Sequence, residues 1–210
     1  EIWITSFSGI NCLNEKTGEI KNYKYDSSVN RNNRFLKILP EGDSVLWIAG
    51  YDNGLTRFSL RNHVMEMIGS KTARSLYWKI AADKSGNIWC ANNSGALDKF
   101  DRQKKIFTSF TFDTLTEQSI YYDLAYDSSS NILWVASTNG LLKLNPENLH
   151  ARLFTDKDGL ASGNVSLLTL DKQNRLWIGT SKGLSLYDTK NNSLINFHSN
   201  NGLALKKIDH

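Results

Sequence analysis

The 210-residue sequence is poor in proline, cysteine and methionine, with two of each, and it contains no long apolar run. A membrane-spanning helix needs about 20 consecutive apolar residues, so any transmembrane helix is expected outside this stretch. Cys12 and Cys90 lie at unrelated positions among strand-type residues. We therefore predict no disulfide between them and interpret both as small buried hydrophobic residues.

Positive charge is present but not concentrated. The formal net charge is +4, and Lys and Arg are spread singly along the chain. The densest cluster, Arg102 to Lys105, falls where a turn is expected, which favours a solvated surface. A nucleic-acid-binding protein would need a basic stripe or a recognisable motif. Neither occurs, so nucleic acid is not an expected partner.

What the sequence does contain is a repeat. The segment Leu176-Trp177-Ile178, followed by a turn glycine, is restated four more times. A period near 43 residues is typical of architectures built from one supersecondary unit. Because the sequence begins without Met and inside a repeat, we expect it to be a segment of a longer protein. The repeated tryptophans are 42 to 45 residues apart, at Trp3, Trp47, Trp89, Trp134 and Trp177.

The pattern within one repeat predicts four short strands. In the last repeat they fall at 165–170, 176–180, 184–187 and 193–198, separated by polar turns. Equivalent first strands are predicted at 35–39, 77–82 and 121–126. Four antiparallel strands in a unit of this length match one blade of a propeller. An acidic residue also precedes the tryptophan by six or seven positions in four repeats, at Glu41, Asp83, Asp127 and Asp171.

The predicted fold class is therefore all-β: a β-propeller of four-stranded antiparallel blades, with about five repeats in one domain spanning 1–210. A blade is apolar on both faces and must stack on its neighbours, so we interpret the repeated tryptophans as wedges between blades. Trp78, the sixth tryptophan, falls outside the pattern. We expect the chain to be part of a seven-bladed propeller; the alternative is a closed ring of five blades.

The fifth repeat carries a family resemblance. Its pattern runs from Asp158-Gly159-Leu160 through Asn164-Val165 to Leu176-Trp177-Ile178-Gly179-Thr180 and Gly183-Leu184. It resembles the two-component regulator propeller repeat. The resemblance implies the periplasmic sensor region of a hybrid two-component system, of the kind best known from Bacteroides-type gut bacteria. It also implies a membrane helix and a histidine kinase outside this segment, a homodimeric ectodomain, and oligosaccharides as the signal.

A ligand is expected on one loop face. Propeller ligands usually gather where loops enter the first strands and where loops join second to third strands. Aromatic side chains there can stack on sugar rings, and Arg and Asn can bond hydroxyls or carboxylates. Tyr77 and Tyr121 are predicted instead to fill the core position that Val165 holds. The predicted ligand-binding residues are Arg31, Arg34, Tyr51, Asn53, Arg74, Trp78 and Tyr122.

No catalytic or metal constellation is predicted. His63 and His150 are expected in turns on the opposite face, and His198 and His210 near the end of the sequence. The four histidines should therefore not converge on a nucleophile or a metal ion. The stretch 156–159 is interpreted as a turn rather than a calcium loop, and no cofactor is expected. The leading hypothesis is a non-enzymatic sensor of an oligosaccharide or other small molecule. The alternatives are an enzyme similar to streptogramin lyases and a propeller that binds only proteins.

Overall fold

The computed structural model describes residues 1–25, 34–51, 54–69, 76–92, 95–112 and 119–197. In these ranges the chain is almost entirely antiparallel sheet, and the one helical element is a short 3₁₀ turn at Asp156–Asp158. Within the same ranges there is no helix with the length and apolar character needed to cross a bilayer.

Five sheets follow one another along the chain, and the strands of each pair in sequence order. We number these sheets as blades I to V, made of β1–β3, β4–β7, β8–β11, β12–β15 and β16–β19. The strands are β1 (Ile2–Ser6), β2 (Gly9–Leu13), β3 (Ile20–Tyr23), β4 (Phe35–Glu41), β5 (Val45–Gly50), β6 (Gly54–Ser59), β7 (Val64–Gly69), β8 (Tyr77–Ala82), β9 (Ile88–Asn92), β10 (Leu97–Asp101), β11 (Ile106–Phe110), β12 (Tyr121–Asp127), β13 (Ile132–Ser137), β14 (Gly140–Leu144), β15 (Ala151–Phe154), β16 (Val165–Leu170), β17 (Arg175–Thr180), β18 (Gly183–Asp188) and β19 (Ser193–Phe197).

The predicted fold class is confirmed. Blades II to V are four-stranded antiparallel sheets, and blade I has three described strands. The first strands predicted at 77–82 and 165–170 have the predicted bounds, and β4 and β12 continue to Glu41 and Asp127. The apolar runs, the polar turns and the tryptophan repeat were therefore sufficient to place the blades.

Apolar clusters between consecutive blades hold the sheets together. The sheet-to-sheet contacts of the described strands run from β1 to β4, β4 to β8, β8 to β12 and β12 to β16. Each of three repeated tryptophans is buried in such a cluster, and each cluster includes the first residue of the next blade. These tryptophans act as the predicted wedges. The pairs that share a cluster are Trp47 with Tyr77, Trp89 with Tyr121, and Trp134 with Val165.

The two end blades each leave an apolar face uncovered among the described residues. On blade I, Ile2 and Ile4 are each 45% exposed; on blade V, Leu167 is 45% and Ile195 53% exposed. Trp177 lies on this outer side of blade V and is only half-buried, stacked on Phe197. The described blades therefore form an open arc, and they do not provide the interface that a closed ring of five would need.

Three of the tryptophans are also held through their indole nitrogens. Trp47 Nε1 donates to Glu41 at 2.7 Å, Trp89 Nε1 to Asp83 at 2.9 Å, and Trp177 Nε1 to Asp171 at 3.1 Å. In each pair the acid stands six residues before the tryptophan. This bond accounts for the acidic residue that recurs in the sequence.

Blade IV departs from this arrangement. Asp127 precedes Trp134 by seven residues, and its carboxylate accepts from Ser129 and Ser130 instead. Trp134 Nε1 is consequently buried without a hydrogen-bond partner among the described residues. One additional residue between the acid and the tryptophan thus coincides with the loss of the hydrogen bond between them.

Both cysteines are buried free thiols. Burial raises the pKa of Cys12 and of Cys90 above the ordinary thiol value. Buried thiols with a raised pKa are unreactive small hydrophobic groups, as the sequence predicted.

Candidate functional site

A β-bulge recurs in the first strand of blades II to V. The pairing register shifts between Phe35 and Lys37, and at the equivalent place in the other three blades. A bulge adds one residue to a strand and redirects the side chain at that point. The bulged residues are Leu36, Trp78, Tyr122 and Ser166. Two predicted ligand-binding residues, Trp78 and Tyr122, therefore occupy the same position in neighbouring blades.

One backbone hydrogen bond defines the rim next to these bulges. In blade II the Tyr51 N–H donates to the Arg34 carbonyl at 2.9 Å. In blades IV and V, Thr138 donates to Ile120 and Ser181 to Asn164, each at 3.1 Å. In blades II, IV and V the residue before the first strand thus lies beside the loop from the second to the third strand. Arg34 and Tyr51 share this rim, as predicted.

Four side chains from blades I, II and III meet on the rim. The Arg34 guanidinium carbon lies 4.0 Å from the centroid of the Tyr51 ring and 5.1 Å from that of Phe7. The Tyr51 and Trp78 rings meet edge to face, with centroids 6.1 Å apart and planes at 77°. We call Phe7, Arg34, Tyr51 and Trp78 the aromatic shelf.

Two members of the aromatic shelf, Phe7 and Tyr51, occupy loop positions that are polar in blades IV and V. Phe7 and Tyr51 follow the last residues of β1 and β5, and the equivalent residues of blades IV and V are Thr138 and Ser181. Phe7 is 67% exposed. Large aromatic and arginine side chains on an exposed rim are enriched at recognition sites. Phe7 is not among the predicted ligand-binding residues, because its contact with Arg34 joins residues 27 positions apart in the sequence.

Trp78 has an unsatisfied donor. Its ring is half-buried, and its Nε1 is buried without a hydrogen-bond partner among the described residues. A buried N–H without an acceptor costs about 1–3 kcal/mol. The sixth tryptophan, which the repeat pattern left unexplained, contacts Tyr51 on the rim and belongs to none of the apolar clusters found among the described residues.

The other predicted site residues divide into two groups. Tyr122 lies one blade beyond Trp78 and is half-buried. Arg31, Asn53 and Arg74 lie outside the described residues, so their place in the site remains a prediction.

A second polar feature lies just after the bulges. The residues that follow the bulged ones in the first strands are Lys37, Lys79, Asp123 and Leu167, which we call the third-position row. Lys79 Nζ is 3.8 Å from Asp123 Oδ1. Asp123 is buried, and its carboxylate accepts the backbone N–H of Leu168, in the next blade, at 2.9 Å. This row therefore links blades III, IV and V.

The third-position row could have been found in the sequence. Charged residues recur there at one repeat position inside otherwise apolar strands. Burial raises the pKa of Asp123 above its ordinary value, although the Leu168 N–H and the charges of Lys79 and Lys37 act in the opposite direction. The positive charge of Lys37 thus lowers the pKa of Asp123.

A cleft of about 850 Å³ lies at the opposite end of blades II and III. Its walls include Trp47, Arg57, Glu66 and Arg102. The arginines there already have acidic partners, since Arg102 pairs with Glu41, and Arg57 lies 3.8 Å from Glu66. Among the described residues, Arg34 of the aromatic shelf has no acidic partner. This difference favours the shelf as the ligand site.

His63 and the stretch 156–159 both lie in turns. His63 lies in a turn at the predicted opposite end, with its ring 4.9 Å from Tyr23. The stretch 156–159 is a turn, as predicted: Asp158 accepts the Thr155 N–H at 3.0 Å, and Gly159 has φ of 99°. The described part of the chain brings together no three His, Cys, Asp or Glu side chains that could hold a metal ion.

The stacked antiparallel blades define the chain as a β-propeller with an aromatic and basic rim. The model of one family, described as two component regulator propeller, matches residues 159–182. That segment covers most of the pattern that carries the family resemblance, so the resemblance predicted from the sequence is confirmed. No curated protein matches the chain in sequence.

Solved structures show the same fold. The extracellular domain of a B. thetaiotaomicron protein described as a hybrid two component system superposes with a TM-score of 0.76 at 17% identity, over 93% of this chain and 26% of its own. A second such domain gives 0.76 at 20% identity, over 95% and 28%. Virginiamycin B lyase from Staphylococcus aureus gives 0.76 at 16% identity, over 93% and 65%. The chain thus spans about a quarter of the extracellular domains it is similar to.

Proposed function

We propose that this chain is a ligand-sensing propeller from the periplasmic region of a hybrid two-component system. The match to the regulator propeller repeat at 159–182 supports this proposal, as does the fold likeness to extracellular domains of proteins described as such systems. In this proposal the membrane helix and the histidine kinase lie outside the segment. The signal would control transcription of genes for polysaccharide use.

The aromatic shelf is the observation that carries a binding role. The exposed ring of Phe7 and the half-buried rings of Tyr51 and Trp78 suit the apolar face of a sugar ring, and the Arg34 fork can bond vicinal hydroxyls. The Arg34 stack on Tyr51 holds both side chains in place before a ligand arrives, which lowers the entropic cost of binding. An oligosaccharide or a similar small molecule is therefore the proposed ligand. Tyr122, Arg31, Asn53 and Arg74 remain candidate contacts around it.

Binding at the shelf would act by selecting one arrangement of the protein. The shelf draws side chains from blades I, II and III. A ligand that touches all three is bound best when those blades hold this geometry. Only such a difference in affinity between two arrangements can transmit a signal. In this proposal the two arrangements belong to a homodimer of the full ectodomain.

Calorimetric titration with a panel of plant and host oligosaccharides tests the proposal. For a compound that binds, we expect Tyr51→Ala and Arg34→Ala each to weaken binding by about tenfold or more, the loss expected for a central stacking or charged contact. Ser181→Ala, at the equivalent position of blade V, is the matched control and should bind normally. Binding that both shelf variants leave unchanged would place the ligand elsewhere.

The same panel of compounds distinguishes the sensing role from two other functions. The fold likeness to virginiamycin B lyase favours an enzyme as the second candidate. Mass spectrometry of the incubated panel, including a streptogramin B, would then show a cleaved product. A propeller that binds only proteins would bind no compound of the panel.

A further inference from the structure

The charges next to the aromatic shelf are mostly positive. Arg34 lies in the shelf itself, and Lys37 and Lys79 follow the bulges of blades II and III. Asp123 is the one acid in the third-position row. The first strands that carry these residues pack on one another in chain order, β4 on β8 and β8 on β12. The aromatic shelf and the third-position row therefore contain three cations and one acid.

Asp123, the acid of the third-position row, already has hydrogen-bond and charged partners. Its carboxylate accepts the backbone N–H of Leu168 at 2.9 Å and that of Leu124 at 2.9 Å, and it lies 3.8 Å from Lys79. The guanidinium of Arg34 rests on aromatic rings, which do not neutralise it. Within the described residues, neither Arg34 nor Lys37 forms an ion pair. Among the described residues, these two positive charges therefore have no acidic partner.

We propose that the ligand of the aromatic shelf is an anionic saccharide, whose acidic group is bound by Arg34 and Lys37 while its sugar ring stacks on Tyr51. This inference rests on the proposed function and specifies its ligand class. An arginine fork binds carboxylate and sulfate groups through two parallel hydrogen bonds. Lys37, half-buried beside the bulge, contributes a point charge in a place where solvent screens it less than on an open surface.

The test compares probes that differ only in charge. Tri-galacturonate and its methyl ester have the same rings, and only the first carries carboxylates. A sulfated carrageenan oligosaccharide and its desulfated form give the same comparison for a sulfate ester. We expect at least one anionic probe to bind about tenfold or more tightly than its neutral counterpart, and the difference to shrink as salt is raised from 50 to 500 mM.

Two charge variants locate the anionic group. Lys37→Gln should lower the affinity for the anionic probe by about fivefold to tenfold and leave the affinity for its neutral counterpart unchanged. Lys172→Gln removes the same charge from an exposed turn at the far end of blade V and should change neither. Thermal melting of both variants checks that they fold as the parent protein does.

The outcomes separate the two proposals. Equal affinity for charged and neutral probes, with no effect of Lys37→Gln, would overturn the anionic ligand and leave the sensing role standing. Binding of no saccharide at all would overturn both. Preference for the carboxylate over the sulfate probe, or the reverse, identifies which acidic group the site takes.

Discussion

Two equivalent tyrosines show how one neighbour decides whether a buried hydroxyl is satisfied. Tyr77 and Tyr121 begin the first strands of blades III and IV and are both fully buried, as the sequence predicted. The Tyr77 hydroxyl donates to Asp98 at 2.7 Å. In blade IV the residue equivalent to Asp98 is Leu142, and the Tyr121 hydroxyl has no partner among the described residues. Burial raises the pKa of Tyr121 to about 12.

We therefore expect Tyr121→Phe to raise the free energy of unfolding by about 1 kcal/mol, because it removes a desolvated and unbonded hydroxyl. Tyr77→Phe removes a bonded one and should lower stability by a similar amount. Urea unfolding followed by tryptophan fluorescence measures both. A loss of stability in Tyr121→Phe equal to that in Tyr77→Phe would show that the Tyr121 hydroxyl has a partner.

Asp171 gives a residue-scale prediction about pH. Desolvation raises the pKa of this carboxyl, but hydrogen bonds from the backbone and guanidinium of Arg175 and from Trp177 outweigh it and hold the pKa at about 2. The folded state thus releases its proton more readily than the unfolded chain, whose Asp pKa is about 3.9. The stabilising contribution is present above pH of about 4 and is lost as the pH falls towards about 2.

Asp171→Asn should accordingly flatten the fall in stability between pH 4 and pH 2. Denaturant midpoints at several pH values in this window provide the measurement. Asp43→Asn removes the same charge from an exposed turn and serves as control. A variant whose stability falls as steeply as that of the parent would rule out Asp171 as a source of the acid sensitivity.

At the scale of the element, the turn between second and third strands is where blade II departs from blades I, IV and V. In three blades a hydroxyl at the end of the second strand donates to the glycine carbonyl that begins the third: Ser6 to Gly9, Ser137 to Gly140 and Thr180 to Gly183, at 2.8 to 2.9 Å. Blade II has Gly50 there instead. A Cβ on Gly50 would lie 2.7 Å from the Arg34 carbonyl oxygen, so the absent side chain lets Arg34 approach Tyr51.

Gly50→Ser should restore the hydroxyl residue that blades I, IV and V have there and yet be destabilising. The added Cβ forces the Arg34 backbone away, which we expect to cost about 1–3 kcal/mol and to separate Arg34 from Tyr51. Ser137→Gly, the reverse change in blade IV, is the matched control. Stability from denaturation and ligand affinity from calorimetry are the two readouts. Unchanged values of both in Gly50→Ser would show that the close approach is not needed.

At the scale of the whole molecule, stability should depend on where a tryptophan lies in the arc. Trp89 is fully buried between blades III and IV, whereas Trp177 is half-buried on the outer side of blade V. Trp89→Ala is therefore expected to cost about 3–5 kcal/mol, and Trp177→Ala clearly less. Chemical denaturation of both variants provides the comparison. Equal losses would show that the outer face of blade V is covered in solution.

The sequence alone determined the fold class, the five repeats and most strand bounds. The position of a strand depends on the local sequence. Apolar runs mark the strands, polar turns end them, and the recurring tryptophan sets the period of the repeat. The loop face of the site was also predictable, because antiparallel pairing puts the start of the first strand beside the end of the second. Arg34, Tyr51 and Trp78 were chosen on that basis.

Only the tertiary structure decided how these residues meet. The bulge that places Trp78 and Tyr122 leaves no signature in the hydrophobic pattern, since it arises from the pairing of two strands. The stacking of Phe7 on Arg34 joins two blades, and the bond from Leu168 to Asp123 joins two others. Such contacts depend on how blades pack rather than on spacing within one repeat. The repeated residues thus specify the propeller, and the packing of the residues that differ assembles the aromatic shelf.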